Sequence, residues 1–130
     1  MPALVDTSVL IDSIRGRRTE QVSKFERLVA ADEVMLGDLV LSEFLRGFDN
    51  EAESRHVHAT LQGFPVVELC GETIAVEAAR NFRHLRALGV TVRKTVDLII
   101  GTYCIRNSLP LLHNDRDFDA MERHLGLKVL

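Results

Sequence analysis

Acidic side chains recur in this sequence where α/β proteins bind ligands, at the ends of apolar runs or near the start of a helix. Asp6 follows the apolar run at residues 3–5, and Asp115 follows another at residues 109–112. The full set of candidates is Asp6, Glu43, Asp97, Asp115 and Asp117. Clustered carboxylates repel one another unless a cation neutralises them. Mg²⁺ or Mn²⁺ would suit such oxygen ligands, and one or two ions would polarise a phosphodiester and orient an attacking water.

Some of these acids also have a simpler explanation. Asp6 or Thr7 can cap the helix that begins near Ser8. Asp117, taken alone, is better explained as an acid that the helix dipole favours. For the whole set we favour a shared cation site, because the same arrangement of apolar run and acid occurs twice.

Short apolar runs alternate with amphipathic helices along the chain. The predicted strands are residues 3–5, 34–36, 65–67, 109–112 and 127–130, and the clearest helices are residues 19–31, 39–46, 51–63 and 73–88. Further helices start near Ser8 and after Thr95, which we expect to be the N-cap of the second of them, and the last helix ends near Leu125. This order predicts an α/β fold with a mostly parallel central sheet of four to five strands and helices on both faces. Ligands bind beyond the carboxyl ends of such strands.

Length and composition favour one domain covering residues 1–130, with 46% hydrophobic residues to form its core. The net charge of −3 excludes a globally basic nucleic-acid binder. If five acids form one site, however, 14 acids remain against 16 lysines and arginines, and that surface can accept a phosphate backbone. Cys70 and Cys104 lack the spacing of a metal knuckle. No apolar run approaches the ~18 residues of a membrane span, so we expect a cytoplasmic protein.

The stretches LVDTSVLID, LSEF, VDLIIG and LPLLHNDRDF follow one another in an order and spacing that resemble the PIN-domain nucleases, specifically the VapC toxins of bacterial toxin–antitoxin pairs. The resemblance covers nearly the whole chain. It implies a three-layer PIN-like fold and a Mg²⁺-dependent endoribonuclease, with Mn²⁺ as a substitute. The acids that it implies for catalysis are Asp6, Glu43, Asp97 and Asp115.

The resemblance also implies roles for individual side chains. The metal ligands would be Asp6, Asp97, Asp115 and Asp117, with Asp6 and Asp97 as the foremost direct ligands. Thr7 or Ser8 would hydrogen-bond a ligand carboxylate or the phosphate. Two residues depart from the commonest family pattern: His113 replaces a small hydroxyl residue, and Gly101 replaces alanine. Neither change removes an acid, and His113 either contacts RNA or supports the strand end.

Three basic residues lie close to the candidate acids in the sequence. Arg93 and Lys94 precede Asp97, and Arg116 lies between two acids. Arginine and lysine are the usual partners of phosphate oxygens, so we expect these three to contact the RNA substrate.

The resemblance further implies two protein partners, a small cognate antitoxin and a second copy of the chain in a homodimer. The antitoxin would lie along an apolar groove and place a basic side chain in the acidic site. The predicted walls of this groove are Leu10, Ile11, Phe44, Leu45, Val57 and Leu61. The alternative is that all six belong to the hydrophobic core. Two other functions stay open from the residues alone: a non-enzymatic binding module of PIN-like fold, and a phosphate-ester hydrolase of another α/β family. Hydrolases of the dehalogenase type usually have a second Asp two residues after the first, and this chain has Ser8 at that position.

Overall fold

A four-stranded parallel sheet forms the centre of the structure, a computed structural model that describes all residues 1–130. Its strands are β1 (Ala3–Val5), β2 (Val34–Gly37), β3 (Val66–Val67) and β4 (Leu111–Leu112). They are arranged in the order β3-β2-β1-β4, and every neighbouring pair is parallel. All carboxyl ends therefore lie at one edge of the sheet, as predicted for the acids that follow β1 and β4.

Strand β1 is central because it is apolar on both faces. Its three residues are fully buried, and Leu4 pairs with Met35 on one side and with Leu111 on the other. A strand that is buried on both faces has a continuous apolar sequence, and residues 3–5 have such a sequence. The first few residues of the chain are thereby fixed against two strands that are far apart in the sequence.

Seven α-helices and one short 3₁₀ helix cover the two faces of the sheet. They are α1 (Thr7–Ile14), α2 (Glu20–Ala30), α3 (Asp38–Leu45), α4 (Glu51–Thr60), α5 (Glu72–Ala87), α6 (Thr95–Arg106) and α7 (Asp119–Leu125), with the 3₁₀ helix at Arg116–Phe118. Helix α1 packs against α2 and α3, and α5 packs against α6. The predicted α/β architecture is confirmed. None of the helices combines the length and apolar character needed to cross a bilayer.

The structure corrects several predicted boundaries. The expected fifth strand at residues 127–130 is reduced to one bridge between Leu111 and Val129, so the sheet has four strands. Lys94, not Thr95, occupies the N-cap of α6, and no side chain there accepts a capping hydrogen bond. Helix α4 ends at Thr60, three residues earlier than the predicted Gly63.

Gly101 in α6 is explained by its neighbour on α7. A Cβ atom at this position would overlap the Sδ atom of Met121, whose side chain is fully buried. Close packing of Met121 against α6 therefore disfavours the alanine of the family pattern, because a large core side chain occupies the space of the missing methyl group.

Candidate active site

Asp6 begins the candidate site at the end of β1. Its backbone is extended, and its side chain caps α1 by accepting hydrogen bonds from Ser8 N at 3.1 Å and Ser8 Oγ at 2.6 Å. The capping role that the sequence suggested is therefore real. It does not remove Asp6 from the site, because the same carboxylate lines a cavity beyond the strand end.

This acidic cavity has a volume of about 240 Å³ and gathers residues from four separate parts of the chain. Its lining consists of Asp6, Thr7, Ser8, Ile11, Glu43, Arg46, Lys94, Asp97 and Asp115. The four acids that the sequence singled out for catalysis thus lie around one space. They come from the end of β1, from α3, from the first turn of α6 and from the loop after β4. The convergence expected from strand and helix ends is present in the structure.

The electrostatics of the acidic cavity favour the binding of positive charge. Burial, followed by the charge of Asp6, raises the pKa of Asp97 to about 7, although Lys94 opposes this rise. Burial is also the main cause that raises the pKa of Glu43, again followed by Asp6. The pKa of Asp6 itself is raised by burial and opposed by the hydrogen bonds from Ser8. A raised pKa means that the cavity disfavours the ionised form of these carboxyls. A cation bound among them would stabilise the ionised form.

Asp97, Asp115 and Asp117 provide the donor set that best fits a cation. Each offers a carboxylate oxygen, and these three oxygens lie within 4.8 Å of one another. Asp97 Oδ2 is buried and has no hydrogen-bond partner, so it is an acceptor that a cation would satisfy. A set of hard oxygen donors suits a divalent ion such as Mg²⁺, Mn²⁺ or Ca²⁺. Asp6 lies outside this close group, although it lines the same cavity as Asp97 and Asp115.

The hydroxyl residues after Asp6 hold two acids in place. Ser8 donates to Asp6, as described above. Thr7 Oγ1 lies 3.4 Å from Glu43 Oε1 and 3.5 Å from the carbonyl oxygen of Val40, so it links α1 to α3. Both residues thus contact candidate site acids rather than open solvent, which is the geometry that a supporting hydrogen-bond donor requires.

A buried network behind Asp6 was missed by sequence reasoning. Asp12 is 6% exposed and accepts hydrogen bonds from Arg17 and, at 2.9 Å, from Asn114 Nδ2. The backbone N–H of Asn114 donates to Ser8 Oγ at 2.9 Å, and Ser8 in turn donates to Asp6. The loop after β4 is thereby fixed to α1. One signal was available, because Ser8 and Asp12 are four residues apart and share a face of the helix.

His113 supports the strand end. It is buried, and its Nδ1 accepts a hydrogen bond from the backbone N–H of Asp115 at 3.1 Å. Its ring lies 4.9 Å from the ring of Phe118. Of the two roles considered for His113, these contacts favour the structural one, because they orient the loop that carries Asp115.

The three basic residues proposed for RNA contacts are divided between two cavities. Lys94 lines the acidic cavity, with its Nζ atom 3.9 Å from Asp115 Oδ2. Arg93 and Arg116 instead line a neighbouring cavity that also includes Asp117. Arg46, which the sequence did not single out, is a second cation at the acidic cavity and lowers the pKa of Glu43 against the effect of burial.

The predicted apolar groove is present, with altered walls. It has a volume of about 260 Å³ and includes Leu10, Phe44, Val57 and Leu61 of the expected set. Ile11 faces the acidic cavity instead, and Leu45 packs against the core without lining the groove. Other groove residues are Ser13, Ile14, Phe25, Val29, Thr60 and Phe64. The exposure of Ile14 and Val29, 51% and 43%, leaves apolar surface uncovered along this groove.

A further cavity lies between the apolar groove and the acidic cavity. It shares Ile14 and Phe44 with the groove, and Ile11 and Glu43 with the acidic cavity. The groove and the acidic cavity therefore adjoin the same intervening cavity on one side of the molecule.

Comparisons with known proteins place this geometry in a family. The family model of the PIN domain matches residues 3–124. Ribonuclease VapC11 of Mycobacterium tuberculosis is 25% identical over 128 residues, covering 97% of this chain and 96% of its own length. Ribonuclease VapC1 of Methanocaldococcus jannaschii is 27% identical over 127 residues, covering 97% of this chain and 85% of its own length.

Solved structures show the same fold. VapBC2 from Rickettsia felis, bound to a DNA fragment from its promoter, matches with a TM-score of 0.79 and 15% identity, covering 100% of this chain and 98% of the other. VapBC-5 from Mycobacterium tuberculosis, a member of the VapBC family of toxin–antitoxin systems, matches with a TM-score of 0.69 and 22% identity, covering 99% and 97%. With the family model matched over nearly all of its length, this chain belongs to the PIN domain family.

Proposed function

We propose that this protein is the toxin of a toxin–antitoxin pair and acts as a Mg²⁺-dependent endoribonuclease that hydrolyses RNA phosphodiester bonds. The observation that carries the proposal is the convergence of Asp6, Glu43, Asp97 and Asp115 on one cavity. The unpartnered Asp97 Oδ2 supports it, because a buried acceptor without a donor is a natural ligand for a cation. The relatives VapC11 and VapC1, both named as ribonucleases, align over 97% of this chain.

Asp97, Asp115 and Asp117 would hold Mg²⁺, or Mn²⁺ in its place, with Asp6 as a further ligand from the same cavity. When bound, the ion would neutralise the cluster and withdraw negative charge from the scissile phosphate. The residues themselves fit this role, since all four are oxygen donors and the only ion pair among them is the partly exposed contact of Asp115 with Lys94.

The other residues of the cavity would position the substrate and the proton. Lys94 and Arg46 bring two cationic side chains to the cavity and would hold the RNA phosphate. Glu43 Oε1 accepts a hydrogen bond from the Thr7 hydroxyl, which leaves Oε2 free to accept a proton from water. A carboxylate with a raised pKa is a stronger base near neutral pH, so the burial of Glu43 favours this role.

Cleavage of a single-stranded RNA by the purified chain tests the activity. We expect cleavage with Mg²⁺ or Mn²⁺ and none with EDTA. Asp6→Ala and Glu43→Gln should each lower the rate by about 10²-fold or more, since each removes a group of the cavity. Asp49→Asn, which changes an exposed acid outside every cavity described here, serves as the matched control. Intact RNA in the presence of both metals, or wild-type cleavage by Asp6→Ala, would refute the proposal.

The same proposal includes an antitoxin that binds the apolar groove. The groove is uncovered at Ile14 and Val29, and the intervening cavity includes both Ile14 and Glu43. A peptide segment that is apolar along the groove and basic at its end would match both surfaces, and its cation would neutralise the acids. The similar structures VapBC2 and VapBC-5 both belong to toxin–antitoxin systems, which supports a partner of this kind.

Expression of the chain with and without the neighbouring reading frame upstream tests this partner. Growth arrest by the chain alone, relieved by the neighbour and lost in Asp6→Ala, is the expected result. A chain that is harmless alone and binds no product of the neighbouring gene would contradict the toxin role. In that case the non-enzymatic binding module becomes the better account.

We further propose that the protein forms a homodimer through α5. This helix exposes Ala75, Val76 and Ala79, and Val76 is 55% exposed. A second copy would cover these exposed side chains. Light scattering should give twice the monomer mass for the wild type and the monomer mass for Val76→Glu. A monomeric wild type would refute this part of the proposal.

A further inference from the structure

The neighbouring cavity that Arg93 and Arg116 line, which we call the flanking cavity, lies beside the acidic cluster. It has a volume of about 310 Å³ and is formed by the segment 90–93 between α5 and α6 and by Arg116, Asp117 and Ala120. Asp117 belongs both to this lining and to the close carboxylate group with Asp97 and Asp115. A ligand in the flanking cavity would therefore lie directly beside the residues that would hold the cation.

The lining of the flanking cavity combines an apolar floor with a cationic rim. Val90, Val92 and Ala120 are half-buried and supply the floor. Arg93 and Arg116 are exposed at the rim. The arginines that form ion pairs within the chain are Arg17, Arg18 and Arg106. The guanidinium groups of Arg93 and Arg116 thus have no carboxylate partner and are free for a ligand.

We infer that the flanking cavity binds one nucleotide of single-stranded RNA, next to the phosphodiester that is cleaved. This inference rests on the proposed ribonuclease function and adds the site at which the substrate strand is bound. Single-stranded RNA is recognised by bases that leave the stack and lie against apolar or guanidinium surfaces, while arginine binds the phosphate. The floor and the rim provide these two kinds of surface.

The size of the flanking cavity limits what it can take. Ligand pockets run from about 300 to 1,000 Å³, so this one has room for a single small unit. An RNA duplex keeps its bases stacked and paired and cannot insert one, whereas a flexible single strand can. The nucleotide in the cavity would fix the strand so that the neighbouring phosphate faces Asp97, Asp115 and Lys94.

Binding of a short fluorescent single-stranded RNA in EDTA, followed by anisotropy, tests the inference without any cleavage. Arg93→Ala and Arg116→Ala should each weaken binding by about 10-fold. Arg123→Ala removes the same charge from an exposed site on α7 outside the cavity and should weaken binding by less than about two-fold. Ala120→Leu fills the cavity without changing any charge and should weaken the binding of single-stranded RNA by about 10-fold, with duplex RNA unaffected.

The results separate this inference from the proposed activity. Arginine variants that bind no worse than Arg123→Ala overturn the flanking cavity as a nucleotide site, as does a wild type without affinity for single-stranded RNA. Wild-type affinity in a folded Ala120→Leu, checked by its melting temperature, overturns it too. Because the arginines are exposed, their variants decide the question even if Ala120→Leu fails to fold. If the variants change RNA binding as expected but the wild type cleaves no RNA in Mg²⁺ or Mn²⁺, the flanking cavity is supported and the nuclease activity is refuted. If the wild type cleaves RNA but the arginine variants bind it normally, only the flanking cavity is refuted.

Discussion

Replacing Asp97 with asparagine should stabilise the protein in the absence of metal. Asp97 is 4% exposed, and its Oδ2 atom has no hydrogen-bond partner. Burial and the charge of Asp6 raise its pKa from 3.8 to about 7. Ionisation of this carboxyl at neutral pH therefore opposes folding, because the unfolded chain ionises it freely. Asparagine keeps the shape and removes the charge.

The size of the effect follows from the change in pKa. A difference of about 3 in pKa corresponds to about 4 kcal/mol, since each unit is worth 1.36 kcal/mol. The folded state binds the proton more tightly, so the stability that protonation of Asp97 contributes is complete below about pH 4 and is lost as the pH rises to about 7. Above pH 7 the variant should gain up to about 4 kcal/mol, or roughly 5–15 °C in melting temperature for a domain of this size.

Thermal melting of the wild type and Asp97→Asn in EDTA at pH 8 and pH 5 measures this gain. We expect a large difference at pH 8 that shrinks at pH 5, and little change at either pH for the exposed control Asp49→Asn. Mg²⁺ or Mn²⁺ should raise the melting temperature of the wild type, because the ion binds only the folded state. Asp97→Asn should lose most of this response. Equal melting at pH 8, or a difference that does not depend on pH, would refute the electrostatic reasoning.

Three further outcomes are expected. Gly101→Ala should lower the free energy of unfolding by about 1–3 kcal/mol in urea titrations, because its methyl group overlaps Met121, and adding Met121→Val should recover part of the loss. Asp12→Ala should cost about 1–3 kcal/mol and slow RNA cleavage, since it leaves the side chain of Asn114 without its acceptor. Ile14→Glu should abolish binding of the antitoxin in calorimetry and leave the melting temperature unchanged, because Ile14 is half exposed beside the groove.

The sheet and the position of the acids could be predicted because their signals are local. A buried run such as residues 3–5 specifies a central strand by itself, and Asp6 must then lie at the ligand-binding edge. The pairing of Asp12 with Asn114 could not be predicted in this way, because the two residues are 102 positions apart and meet only through the pairing of β1 with β4.

The groove and the basic residues show a second limit of sequence reasoning. Apolar spacing shows that Ile11 and Leu45 avoid water, but it does not show which neighbour covers them, and neither lines the predicted groove. Arg93 and Lys94 are adjacent in sequence yet line different cavities, and their positions in the sequence do not show this division.

The hydrogen bond between Asn114 and Ser8 has a consequence for how the toxin would be made. It joins residues 106 positions apart, and β1 also depends on β4 for one of its two neighbours. During synthesis the first strand leaves the ribosome long before its last partner exists, and long-range pairing of this kind forms late. Asp115 and Asp117 follow β4 and are translated after the other acids of the site. A nascent chain that still lacks β4 and the loop after it therefore has no complete acidic site, so a ribonuclease of this design cannot cleave the message that encodes it before that loop has been made.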